Sequence, residues 1–143
     1  MSPLDRAVLA ERAAAVERHL RRVAERLPSD AADLRASTDA ADAVILHLWQ
    51  ATQVVIDLAV SACVARGAGT PQTYADAFRR LQGNGAIDEP LADRLVRAAG
   101  FRNLVAHAYE NLDMARVHHA ATTGPQDLRA FLAALSRFVA NGE

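Results

Sequence analysis

The chain contains no lysine: sixteen arginines stand against seventeen carboxylates, for a formal charge of −1. That balance excludes a molecule-wide field attracting polyanions indiscriminately, so any contact with nucleic acid has to be local. Arginine presents a planar fork of donors that suits phosphate better than an ammonium does, although a compositional bias toward Arg and Ala gives the same count. Cysteine is nearly as scarce. Cys63 stands alone, which rules out an intrachain disulfide and a cysteine-built zinc site; on an apolar helix it reads as a small core residue. Long apolar runs are missing too. Gln50, Gln53, Asp57 and Ser61 interrupt the best candidate, so no membrane span is expected. Met1 to Arg6 lead straight into a charged helical pattern instead of the apolar stretch of a secretion signal. A cytoplasmic protein without membrane association is the expectation. β-alternation, internal repeats and low-complexity tracts are likewise missing, which leaves helices.

What is present is ample apolar material: 51% of 143 residues is hydrophobic, enough for one compact helical domain spanning 1–143. Ser2, Pro3 and Asp5 resemble a helix start. Leu9, Ala13, Val16, Leu20, Val23 and Leu27 then recur at alternating spacings of four and three, the seam of a helix packed against antiparallel neighbours, and Pro28 and Ser29 stop it. A second helix, roughly 40–66, carries Ile45, Leu48, Thr52, Val55, Ala59 and Ala62, broadened by Trp49, Ile56, Val60 and Cys63. Gly67 to Pro71 predict a stop followed by a third helix over 71–82, capped by Thr70, with Tyr74, Phe78 and Leu81 inward. After Gly83-Asn84-Gly85, Asp88 is placed to cap a fourth helix presenting Leu91, Leu95, Ala98 and Ala99. A short helix after Asn111, a break at Gly124-Pro125 and a last helix with Leu128, Leu132, Leu135 and Val139 complete the pattern. The fold class is all-α: an antiparallel four-helix bundle with a short additional helix.

Chemistry concentrates near the end of the fourth helix, in Arg102, Asn103, His107 and Tyr109. Arginine binds and neutralises phosphate, histidine transfers protons near neutral pH, and tyrosine offers a hydroxyl that donates, accepts or is modified. RNA cleavage by an internal 2′-hydroxyl needs a base for that hydroxyl, a cation for the phosphorane and an acid for the leaving oxygen. No metal or other cofactor is required. On a regular helix Arg102 and Tyr109 lie within about 20° of one another, whereas His107 is turned from Arg102 by about 140°. Asn103 shares the face of His107 and is placed to orient the imidazole. Either the last turn distorts, or the site is completed across a symmetric homodimer formed around helices two and four; the dimer is the favoured solution.

The string from Gly100 to Tyr109 resembles the Arg-x4-His-x-Tyr signature of HepT-like HEPN proteins, and the likeness extends over nearly the whole chain, through Asp42 to Leu46, Asp57 to Ala59, Tyr74 to Phe78 and Ile87 to Leu95. The resemblance implies a homodimeric, metal-independent RNA endonuclease acting as the toxin of a two-gene module. It also implies a small MntA-like nucleotidyltransferase antitoxin that silences the toxin by AMPylating the motif tyrosine. Transferred residue by residue, Arg102 and His107 are the catalytic pair, Asn103 an orienting residue and Tyr109 the modification site. An AMP on Tyr109 would add bulk and negative charge close to Arg102.

Each residue also has a plainer reading: Arg102 as a cation favouring a helix C-terminus, His107 as a capping histidine, Tyr109 as an amphipathic residue closing the bundle. HEPN domains also persist as noncatalytic interaction subunits, and the alternative function is such a subunit binding and regulating a nucleotidyltransferase. Adjacent His118 and His119 diverge by about 100° on a helix and make a poor metal site. Gln50, Gln53, Asp57 and Ser61 form a polar row, solvated or lining the active cleft, in which Asp57 is the candidate supporting residue because a buried carboxylate needs a partner. Arg94 and Arg97, two turns before the motif, either solvate the helix or extend a phosphate-binding track.

Overall fold

The computed structural model describes residues 5–141, and helices alone make up its regular structure. Four long helices, α1 (Arg6–Arg26), α2 (Asp39–Ala65), α4 (Glu89–Ala108) and α5 (Met114–Asn141), form the bundle, with the short α3 (Tyr74–Gly83) beside α2 and α4. Ser2 and Pro3, the expected first signals of α1, lie outside the described residues; the helix is capped by Asp5, whose carboxylate accepts the Val8 amide. Thr38 caps α2 and Asp88 caps α4 in the same way, each satisfying an amide with no partner inside its helix.

Contact pairs fix the directions. Tyr109 meets Asp42 and Arg102 meets Gln53, so α4 runs antiparallel to α2. Arg94 meets Asp127, and Arg129 meets Glu17, at helix positions that set α5 against both α4 and α1. α2 touches all four other helices, which explains why its apolar face is so broad. Its length and composition alone would suit a membrane crossing, despite the four polar interruptions that argued otherwise; half of its most apolar window is buried within the bundle. Cys63 is fully buried at its end, the thiol donating to the Ala77 carbonyl.

Two boundaries differ from the sequence reading. α3 starts at Tyr74, not Pro71, because Thr73 caps it through the Asp76 amide while the Asp76 carboxylate accepts the Gln72 amide; this reciprocal pair outcompetes Thr70. And no break occurs at Gly124-Pro125: α5 is one helix of 28 residues with Pro125 inside it. The ring removes one backbone hydrogen bond, but Val117 and Ala121 before it are buried in one core cluster and Leu128, Phe131 and Leu132 after it in another, and packing on both sides holds the two halves in line. The stops at Gly67 and Gly85 are as expected: both adopt positive φ, 74° and 83°, and the amides beyond them reach back to Cys63 and Leu81 in the Schellman arrangement.

The core has two parts. The larger runs along the bundle around Phe78 and Phe131, whose rings meet edge to face at 5.7 Å. The smaller gathers Val23, Leu34, Val44, Ile45, Leu48, Val105 and Val117 beneath the α4–α5 connection. Val105 thereby anchors the end of α4 that carries Arg102 and His107.

Candidate functional site

Arg102 is the centre of the constellation. Its guanidinium carbon lies 5.2 Å from the ring centroid of Trp49 on α2 and 5.2 Å from that of Tyr74 on α3, a double cation–π contact. Nε donates to Gln53 Oε1 at 2.6 Å and Nη1 donates to Asn103 Oδ1 at 3.1 Å. Gln53 then donates through Nε2 to Asp57 Oδ1 at 2.9 Å. Arginine only donates and a carboxylate only accepts, so the Gln53 amide has one orientation that serves both. Among the described residues no carboxylate forms an ion pair with Arg102. The cation is thus fixed in direction by neutral oxygens and aromatic faces, with its charge left uncompensated.

Tyr109 occupies the other end of the same row. Its hydroxyl donates to Asp42 Oδ1 at 2.9 Å, and the residue is 46% exposed. Partial burial first, then the hydrogen bond and the charge of Asp42, raise its pKa above the ordinary phenol value. Asp42, Trp49, Gln53 and Asp57 are spaced seven, four and four along α2, within a band of about 80° on the helix. One ridge of α2 therefore receives both Arg102 and Tyr109.

His107 is not part of that ridge. α4 remains regular through Ala108; only there does the backbone depart, at φ −138° and ψ 31°, into a 3-10 turn at Tyr109–Asn111. The distortion follows His107 and does nothing to rotate it toward Arg102. Lying opposite the buried Val105, its imidazole is exposed and makes no hydrogen bond among the described residues. The expected partnership of Asn103 with His107 is replaced by the bond to Arg102, since the long arginine side chain bends round to its neighbour. Asp57, singled out in case it was buried, is exposed; it enters only through Gln53.

Asp42, Trp49 and Tyr74 were missed as site residues, while Gln53 was named only within a polar row left open between solvent and the active cleft. The heptad-like spacing of Asp42, Trp49 and Gln53 on α2 was the available signal, obscured because Trp49 counted as core and Gln53 was grouped with Gln50, Asp57 and Ser61 instead. The two consecutive histidines do diverge: His118 Nε2 lies 2.7 Å from the Pro28 carbonyl, while His119 lines a cleft between α4 and α5.

Fold and site together define a helical-bundle protein presenting an unpaired arginine, a histidine and a tyrosine at one helix end. The profile of the ribonuclease HepT-like family matches residues 16–135, and the chain belongs to that family. It is 27% identical over 125 residues to the mRNA nuclease HepT of Shewanella oneidensis, covering 87% of this chain and 93% of that protein. A tri-AMPylated HEPN toxin of the same organism, solved in complex with MNT antitoxin, superposes with a TM-score of 0.82 at 25% identity, covering 94% of this chain and 99% of that one. The cytosolic protein YutE of Bacillus subtilis shares the fold, with a TM-score of 0.82 at 15% identity over 99% of this chain and 95% of that one.

Proposed function

We propose that this chain is the ribonuclease toxin of a two-gene module, cleaving RNA in the cytoplasm with Arg102 and His107 as its catalytic residues. The observation that carries this reading is the state of Arg102: a guanidinium held rigidly by Gln53, Trp49 and Tyr74 with no carboxylate to neutralise it. A fixed, uncompensated cation suits a phosphate that gains charge in the transition state. The 2′-oxygen bonds to phosphorus as its proton leaves to a base, the bond to the 5′-oxygen breaks, and that oxygen takes a proton from an acid. The products are a 2′,3′-cyclic phosphate and a 5′-hydroxyl. His107 serves the proton transfers, and no step calls for a metal.

The regular helix between Arg102 and His107 supports completion of the site by a second copy. A symmetric dimer that sets the two α4 ends face to face brings His107 of one chain to Arg102 of the other. The exposed Leu46 and Val64 on α2, 49% and 56% accessible, offer apolar surface for that contact.

A nucleotidyltransferase antitoxin is the matching partner, with Tyr109 as its target. The hydroxyl of this exposed tyrosine becomes the nucleophile once its bond to Asp42 opens: the phenolic oxygen bonds to the α-phosphorus of ATP, pyrophosphate leaves, and the proton passes to a base. The product places an anion on the ridge that holds Arg102.

The test is an RNA cleavage assay in the presence of chelator. Wild type is expected to cut, leaving cyclic phosphate ends, and His107→Ala to lose the activity; equal cutting by the variant defeats the assignment. Intact mass after co-expression with the antitoxin is expected to show AMP additions that vanish in Tyr109→Phe.

A further inference from the structure

A second concavity of the described residues lies away from Arg102. A cleft of about 900 Å³ opens between α4 and α5, floored by Leu48 and Thr52 of α2, a size that accommodates a nucleotide-scale ligand. Gly124 of α5 lies in its lining, and a Cβ there would meet Leu48 Cδ1 at 3.8 Å, an ordinary van der Waals contact.

The walls are cationic. Arg94, Arg97 and Arg116 line the cleft with His119, against the single carboxylate of Asp127. Asp127 is engaged by Arg94 at 2.8 Å, so Arg97 and Arg116 face the cleft with no ion-pair partner among the described residues. Two arginines without ion-pair partners among the described residues, one on each of the two helices that line the cleft, in a chain whose overall charge is −1, constitute a local demand for anions. The remainder of the lining is mostly apolar, with Thr52, Thr123 and Gln126 as its neutral polar members, and Phe101 is partly exposed in the wall, which suits a planar group beside the charges.

Phe101 directly precedes Arg102, and Arg97 lies five residues, about 7.5 Å along the axis, before it. We infer that the cleft is a strand-binding subsite for single-stranded RNA, taking one nucleotide with its flanking phosphates on Arg97 and Arg116 and leading the strand along α4 toward Arg102. The inference rests on the RNA-cleaving reading of the motif, and it adds a recognition element on a different face of α4. A free nucleotide has the same chemistry, and a separate arm of the test distinguishes it.

The experiment uses His107→Ala protein, so that binding is measured without cutting, and a labelled single-stranded RNA oligonucleotide titrated at several salt concentrations. The comparison is the same protein with Arg97→Gln and Arg116→Gln, checked for unchanged helicity by circular dichroism. Affinity is expected to fall at least tenfold, and the slope of log K against log salt to flatten by about 1.4, the loss of two phosphate contacts on a single strand. Unchanged affinity and slope, or no binding by the parent, overturns the inference. So does binding of AMP that depends on the two arginines while RNA binding does not. The two proposals fail separately: arginine-dependent RNA binding by a protein whose wild type never cuts preserves the subsite and removes the nuclease reading. Cutting that is indifferent to both arginines, down to subsaturating RNA, does the reverse.

Discussion

The Tyr109 hydroxyl donates to the Asp42 carboxylate at 2.9 Å, joining the end of α4 to the first turn of α2. Both the partial burial of the ring and the carboxylate disfavour the phenolate, and burial is the larger effect. Asp42→Asn removes the charge and leaves the burial. In an ultraviolet titration, with Tyr109→Phe identifying the transition, the Tyr109 pKa is expected above the ordinary phenol value in wild type and to move part of the way back in Asp42→Asn. Superimposable curves would mean that the bond does not persist in solution.

Arg102→Lys is expected to behave as a loss, not as a conservative change. An ammonium does not stack between Trp49 and Tyr74 as a guanidinium does, and it lacks the planar fork that meets Gln53 and a phosphate together. If Arg102 stabilises the transition state, RNA cleavage should fall about a hundredfold or more, the scale of removing one electrostatic donor. Near-normal rates in Arg102→Lys would show that charge alone suffices.

Stability should depend on pH through His19 and His47, whose Nδ1 atoms lie 3.1 Å apart between α1 and α2. That contact needs one ring to donate and the other to accept, so both cannot be protonated there. Burial first, then His47 and Arg18, lower the His19 pKa. The unfolded chain therefore binds the proton more readily than the folded one; the contribution is complete above the unfolded value of about 6.5 and declines as pH falls below it toward the folded pKa. Urea midpoints measured between pH 7.5 and 5 are expected to drop more in wild type than in His19→Gln, and parallel profiles would remove the pair from the account.

Pro125→Ala should stabilise the protein. Restoring the amide allows a hydrogen bond to the Ala121 carbonyl, and the expected gain is about 2 kcal/mol: roughly 3 for a proline inside a helix, less the entropy that proline removes from the unfolded chain. A urea midpoint that rises without a change of slope would verify it. A lower midpoint would show that the ring is itself part of the packing.

The bundle was legible in the sequence because apolar spacing and caps pointed the same way: Asp88, Gly67 and Gly85 each mark a boundary that local chemistry decides alone. Pro125 misled because its cost is local while the burial that offsets it, from Val117 to Phe131, belongs to the whole core. At the site, the shared face of Arg102 and Tyr109 followed from helix geometry and is met by a single ridge of α2. What receives them did not follow. Asp42, Trp49, Gln53 and Tyr74 lie on two other helices, and neither spacing nor composition encodes which turn of α2 packs against which turn of α4. The position of Asn103 was misjudged for a similar reason: backbone angle separates it from Arg102, and side-chain length overrides the angle.

Trp49 is the only tryptophan of the chain, and its indole lies against the Arg102 guanidinium. The protein thereby contains an intrinsic optical reporter. Whatever draws Arg102 away from that ring, whether an arriving phosphate or an adduct on the neighbouring tyrosine, alters the surroundings of the one strong fluorophore, so occupancy can be followed in unlabelled protein by its emission.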